Sequence, residues 1–246
     1  MNAIHGDSTT WDPWVKALQG DRAHLLFTDP PYCLLTRRRK TGERRDPKKV
    51  KNEGPEVRRF ESVGEYRDFT KAWMTHAQAC TLPEAPWIVW TNLLGKAPIL
   101  AEAQAHGRPH CWGEFTWAKR TREGNSGEEI LRVVEVALVL SPVAMPALAA
   151  AAPARPWAVV AGYDDDGEAA TWGSHPNHKP FGVLEALLRT YSQPGQLIVD
   201  CFAGSGSIPA AAARLERRAA AIEKSAEWAK RVKARLAATS FRVSVT

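Results

Sequence analysis

No stretch of the 246-residue chain holds the run of roughly 18 apolar residues that a membrane span needs. The start Met1-Asn2-Ala3-Ile4-His5-Gly6-Asp7 lacks a basic region followed by an apolar one, so a cytoplasmic protein without a membrane partner is expected. Cysteine is scarce: Cys33, Cys80, Cys111 and Cys201 are widely separated and form no Cys-x-x-Cys pair. That argues against zinc and against a disulfide framework, and no metal is expected. The glycines do not follow Gly-x-Gly-x-x-Gly, which disfavours a nicotinamide dinucleotide. Core-forming residues are not lacking, since 44% hydrophobic and 24% charged are ordinary globular values that exclude wholesale disorder. The length suits one α/β domain, with or without an insertion.

What is present centres on Val199-Asp200-Cys201-Phe202-Ala203-Gly204-Ser205-Gly206-Ser207. Leu197-Ile198-Val199 is an apolar, largely β-branched run, Gly204 and Gly206 permit a tight turn, and residues 210–215 are strong helix formers. A strand turning sharply into a helix frees amides that attract an anion, while Asp200 at the strand end can hold a cationic group. The combination suits a zwitterion. A second apolar run, Ala219-Ala220-Ala221-Ile222, ends in Glu223, and an acid about 20 residues beyond the first suits ribose hydroxyls. A purely structural turn would use the same glycines, so the rest of the chain decides.

His24-Leu25-Leu26-Phe27-Thr28 reads as another strand, and it delivers Asp29-Pro30-Pro31-Tyr32 to its carboxyl end, where open α/β sheets place their ligands. Two successive prolines fix φ and remove two amide donors, leaving a stiff turn with an acid on one side and an aromatic ring on the other. That geometry suits an amino group on a flat ring. Asn2 to Asp7 resembles a short strand ending in an acid, and Asp7 is either a third ligand contact or a turn aspartate.

The net charge is +6, and residues 37–51 hold nine basic side chains against Glu43 and Asp46. Arg37, Arg38, Arg39, Lys40, Arg44, Arg45, Lys48 and Lys49 are therefore candidate contacts to a nucleic-acid backbone, with strong salt dependence. The alternative is a solvated loop. Elsewhere the spacing predicts a helix over 64–80 with Tyr66, Phe69, Trp73 and Ala77 facing the core, one over 96–105, one after Pro180 with Leu184, Leu187, Leu188 and Tyr191 at i, i+3, i+4 and i+7, and one from Ser225 to about 238, as well as a strand at 86–91 and a hairpin over 113–140. Residues 141–156, rich in alanine and proline, and Asp164-Asp165-Asp166 carry no assigned function.

With both motifs in hand, the sequence resembles the DNA amino-methyltransferases, in the subgroup whose catalytic motif precedes the cofactor loop. Asp29-Pro30-Pro31-Tyr32 matches the catalytic motif, Asp200-x-Phe202-x-Gly204-x-Gly206 the S-adenosylmethionine loop and Glu223 the ribose-binding acid. Gly6-Asp7 matches the adenine-binding acid and His175-Pro176-x-x-Lys179-Pro180 the segment leading into the loop. Cys201 stands where the family usually has proline, Ser207 where it has threonine, and Cys33 follows the tetrapeptide.

The resemblance implies one α/β domain over residues 1–246, with a Rossmann-like S-adenosylmethionine-dependent methyltransferase fold. Its mixed seven-stranded sheet would carry helices on both faces in a permuted motif order, the hairpin supplying the antiparallel edge. Insertions at about 33–63 and 141–174 would flank the cleft and contact DNA. Asp29, Pro30, Pro31 and Tyr32 would be catalytic, and Asp7, Asp200, Phe202, Ala203, Gly204, Ser205, Gly206, Glu223 and Lys179 would bind S-adenosylmethionine. The implied activity is methyl transfer to N6 of adenine in double-stranded DNA by base flipping. N4 of cytosine, or a non-catalytic nucleic-acid-binding partner with the same fold, stays open, as does a homodimer.

Overall fold

A computed structural model of the protein describes residues 1–36, 58–122, 129–144, 158–160, 171–172 and 178–243, with the backbone alone described for 118–122, 129–134, 158–160 and 240–243. The candidate DNA contacts between Arg37 and Lys49, the acidic run at 164–166 and most of 141–174 lie outside the described residues.

The apolar runs form strands and the segments of 3.6-residue period form helices. In chain order these are β1 (Asn2–His5), α1 (Asp12–Leu18), β2 (Leu25–Thr28), α2 (Val63–Cys80), β3 (Trp87–Thr91), α3 (Leu93–Ala105) and β4 (His110–Arg122). They continue as β5 (Glu129–Ser141), β6 (Ala158–Val160), α4 (Phe181–Tyr191), β7 (Leu197–Asp200), α5 (Ser207–Arg214), β8 (Arg218–Glu223) and α6 (Ala226–Val243).

All eight strands lie in one sheet, in the order β1-β8-β7-β2-β3-β5-β4-β6. The first five of these run parallel. β5 is antiparallel to both β3 and β4, and β6 lies parallel to β4 at the far edge. The α/β fold with a mixed sheet is as expected, and among the described residues β6 joins that sheet as an eighth strand. The extra strand, Ala158-Val159-Val160, is too short to show a period of two, and the hairpin is consequently covered by β6 instead of forming the edge itself.

Parallel strands covered on both faces are buried along their whole length, and β2, β3 and β7 are buried at every position. Alternate side chains feed two cores. Leu26, Val89 and Val199 meet Trp14 of α1, Tyr66, Phe69 and Trp73 of α2 and Ile99 of α3. Phe27, Ile88, Trp90 and Ile198 meet Leu184, Leu187 and Leu188 of α4, Ala211 and Ala212 of α5 and Val232 and Leu236 of α6. Each fully buried leucine or isoleucine contributes roughly 1.5–3 kcal/mol, so these layers hold the strand ends rigidly in place.

Caps set two boundaries near the cleft. Ser62 accepts the Glu65 amide, 3.1 Å, while the Glu65 carboxylate returns to the Glu61 amide, 2.6 Å. Asn92 accepts the Gly95 amide at 2.9 Å, which starts α3 at Leu93, three residues before the predicted start. The same Asn92 side chain donates to the Cys33 carbonyl, 3.1 Å, and so ties α3 to the turn after β2. The flanks of the basic segment also meet, Thr36 N donating to the Phe60 carbonyl and Phe60 N to that of Leu34.

Candidate active site

Because β1, β8, β7 and β2 run parallel, their carboxyl ends lie along one edge of the sheet and bring Asp7, Glu223, Asp200 and Asp29 together there. β5 runs the other way. Its Val136 pairs with Thr91 at the carboxyl end of β3, so Glu135, one residue earlier, reaches the same edge from the opposite direction.

Lys179 is buried and Asp29 is half-buried, its side chain 9% exposed, and the Lys179 ammonium contacts Asp29 Oδ2 and, at 2.9 Å, Glu135 Oε2. The Tyr32 hydroxyl donates to the same Glu135 oxygen at 2.8 Å. Lys179 Nζ also lies 5.0 Å from the Trp90 ring centroid, an attraction between a cation and a π face. Asp29 Oδ1 is buried without a hydrogen-bond partner among the described residues. Burial raises the Asp29 carboxyl above the ordinary carboxylate range, with Lys179 opposing the rise and Glu135 adding to it. Burial alone would lower the Lys179 ammonium, but the two carboxylates outweigh it and hold the group above its ordinary value. Burial also pushes the Tyr32 hydroxyl well up, so it stays a donor.

The loop after β7 is built from its own backbone. Gly204 (φ 50°) and Gly206 (φ 75°) take left-handed conformations, and Gly206 opens α5. A Cβ on Gly206 would lie 3.1 Å from a Val232 methyl. Asp200 is 2% exposed, and its Oδ1 accepts the Thr28 hydroxyl at 2.8 Å and the Phe202 amide at 3.1 Å. Burial pushes its carboxyl up to about 7 against those two hydrogen bonds. Glu223 accepts the Gly204 amide, 2.8 Å, and the Ser225 amide, 2.7 Å, one on each oxygen. The Ser205 carbonyl is held by Arg235 at 3.0 Å, and the Phe202 ring packs on Phe69 and Trp73.

Asp29, Lys179, Asp200, Phe202, Ala203 and Gly204 line one pocket, closed on the α5 side by Ser207 and Ile208. Asp7 stands outside it. Its carboxylate accepts the Thr9 amide and hydroxyl and pairs with the exposed Lys224 at 2.6 Å, contacts that outweigh partial burial and hold it at about 2. Pro30, Pro31, Tyr32, Ser205, Gly206 and Glu223 do not line it. Two contributors were not read from sequence. Thr28 looked like the last residue of a strand, and Glu135 is the lone acid in Val133-Val134-Glu135-Val136-Ala137-Leu138, a signal of a buried charge that alternation alone passes over. Among the described residues no group of three His, Cys, Asp or Glu side chains is placed to hold a metal. Likewise, none of the helices is long and apolar enough to cross a membrane.

Acids at parallel strand ends beside a glycine-turned helix define the class: an open α/β protein of the kind that places its ligands at the carboxyl edge of the sheet. Residues 23–234 match the N6/N4 methyltransferase family model, described as DNA methylase, and the chain belongs to that family. It is 38% identical over 58 residues to the type II methyltransferase M2.MboI of Moraxella bovis, covering 24% of this chain and 21% of that protein. That match spans only about a fifth of the relative's length. The PvuII DNA methyltransferase, which is cytosine-N4-specific, shares the fold with a TM-score of 0.65 at 16% identity over 98% of this chain and 91% of that one. So does M1.HpyAVI, solved with S-adenosylmethionine, with a TM-score of 0.63 at 16% identity over 95% and 98%.

Proposed function

We propose that the protein transfers a methyl group from S-adenosylmethionine to the N6 amino group of adenine in double-stranded DNA, after the base has left the stack. The observation that carries this is Asp29 Oδ1, a buried carboxylate oxygen without a partner beside the pocket. A buried acceptor left unpaired is costly, so such an atom is kept for a donor that arrives from outside.

The pocket residues fit the cofactor. Asp200 and the loop from Phe202 to Gly206 would hold its zwitterionic end, and Glu223 its ribose, each Glu223 oxygen keeping a second lone pair beyond its backbone contact. Asp7 would face the adenine end. When bound, S-adenosylmethionine supplies an electrophilic methyl on sulfur. The exocyclic nitrogen of adenine is a poor nucleophile because its lone pair is delocalised into the ring. Asp29 Oδ1 and the Pro30 carbonyl accept the two amino hydrogens and localise that pair, while Tyr32 stacks on the base. The basic residues Arg37, Arg38, Arg39, Lys40, Arg44, Arg45, Lys48 and Lys49 neutralise DNA phosphates.

Adenine is preferred over cytosine because a carboxylate at the first position of the tetrapeptide is a stronger acceptor than the serine common in cytosine enzymes of the resemblance. The intact, oriented Asp29 and Tyr32 also favour turnover over a binding-only role. The test is to incubate the protein with labelled S-adenosylmethionine and unmethylated bacterial genomic DNA, then digest the DNA to nucleosides. Label in N6-methyladenine is the expected result. Label in N4-methylcytosine alone overturns the base, and no label overturns the enzyme.

A further inference from the structure

We propose that Glu135 is a positioning residue for this reaction, one that holds Tyr32 by its hydroxyl and keeps Lys179 from being spent wholly on Asp29. The inference rests on the proposed function and deepens it.

A carboxylate in the apolar middle of a strand is tolerated only when other groups satisfy it. Glu135 is 5% exposed, between Val134 and Val136, and its Oε2 accepts from both Tyr32 and Lys179. Two carboxylates thus share one ammonium at the floor of the pocket. The division has a geometric consequence. Lys179 has three donors, and while Glu135 takes one, Asp29 is met through Oδ2 and its Oδ1 stays without a partner. Without the Glu135 charge the ammonium would belong to Asp29 alone, and the acceptor strength of that carboxylate would fall. The Tyr32 contact does a second job. A phenol anchored at its oxygen has its ring plane fixed, so the platform for the base is set before the base arrives.

Among the described residues the titratable groups facing Glu135 are Asp29 and Tyr32 from the turn after β2 and Lys179 from the segment before α4, and Asp29 in turn raises Asp200 of β7. Replacing Glu135 by glutamine keeps the volume and an oxygen for Tyr32 but removes the charge. Since the Glu135 charge helps hold Asp29 up, the Asp29 carboxyl should titrate lower in Glu135→Gln. The reaction needs that carboxylate ionised, so the acid limb of the kcat profile should move to lower pH.

The experiment uses the full chain with labelled S-adenosylmethionine and unmethylated genomic DNA, comparing wild type, Glu135→Gln, Glu135→Leu and Tyr32→Phe. In parallel, the Asp29 carboxyl is titrated by carbon-13 NMR, which needs no turnover. Expected are cofactor Kd within about twofold of wild type in Glu135→Gln, kcat lower by about 10- to 100-fold, and both the acid limb and the Asp29 titration at lower pH. Glu135→Leu should lose more, and Tyr32→Phe should lose part of kcat with the acid limb moving the opposite way, to higher pH, because the Tyr32 hydroxyl holds the Asp29 carboxyl down. Wild-type kcat and an unmoved Asp29 titration in folded Glu135→Gln would overturn the role of Glu135, even with methylation intact. Absence of label with the wild-type protein would instead overturn the proposed function, with the Asp29 titration still deciding whether Glu135 acts on it. If Glu135→Leu fails to fold, Glu135→Gln alone decides.

Discussion

Asp7 and Asp200 are the same residue type at the same structural station, the carboxyl end of a parallel strand, yet they sit in opposite electrostatic states. Asp7 follows β1 at the edge of the sheet, partly exposed, with a hydroxyl, an amide and a lysine on it, and it is held at about 2. Asp200 ends β7 near the centre, 2% exposed and with Thr28 and Phe202 on its carboxylate, and it is pushed up to about 7. Position in the sheet, rather than residue type, keeps one acid ionised by its partners and raises the other by burial. Asp29, just after β2 and beside β7, carries the central condition further, since burial also raises it and one of its oxygens has no partner among the described residues.

The sharpest test of the central end is Asp29→Ala, which should lower methyl transfer by about 100- to 1,000-fold or more while cofactor affinity, read by calorimetry, stays within about twofold. Next comes Gly206→Val. The left-handed φ of 75° and Val232 at 3.1 Å should together cost roughly 2–5 kcal/mol. A lower melting temperature is expected, with cofactor binding lost in whatever remains folded.

The pH dependence of stability can break the comparison directly. For Asp200 the folded value of about 7 lies above the ordinary 3.8, so the folded state binds the extra proton and stability falls as pH rises from about 4 to about 7. For Asp7 the folded value of about 2 lies below 3.8, so its contribution is present above about pH 4 and is lost as pH falls toward 2. Urea titrations at stepped pH should show Asp200→Asn flattening the first slope by a few kcal/mol and Asp7→Asn flattening the second. Equal slopes in both variants would mean that the two strand ends do not differ. The smallest effect belongs to Lys224→Ala, because Lys224 is 72% exposed and its pair with Asp7 should be worth under about 1 kcal/mol.

Much of the molecule was legible without coordinates. Tyr66, Phe69, Trp73 and Ala77 were expected on the buried face of α2, and Leu184, Leu187, Leu188 and Tyr191 on that of α4, and all are buried except Tyr191, which is half-buried against the same core. Local sequence determines such elements because periodicity and caps act within a few residues, as Ser62 and Asn92 show. Asp29 and the glycine loop were legible for the same reason: prolines and glycines restrict the backbone where they stand. The tertiary structure alone decided that Lys179 contacts Asp29, 150 positions away, and that Glu135 arrives at the site from a strand running against β3. It also decided that Asp7 and Asp200 titrate in opposite directions. Charge state depends on what surrounds a group in space, and no spacing in the chain encodes the depth at which a carboxylate is buried or the lysine with which it is buried.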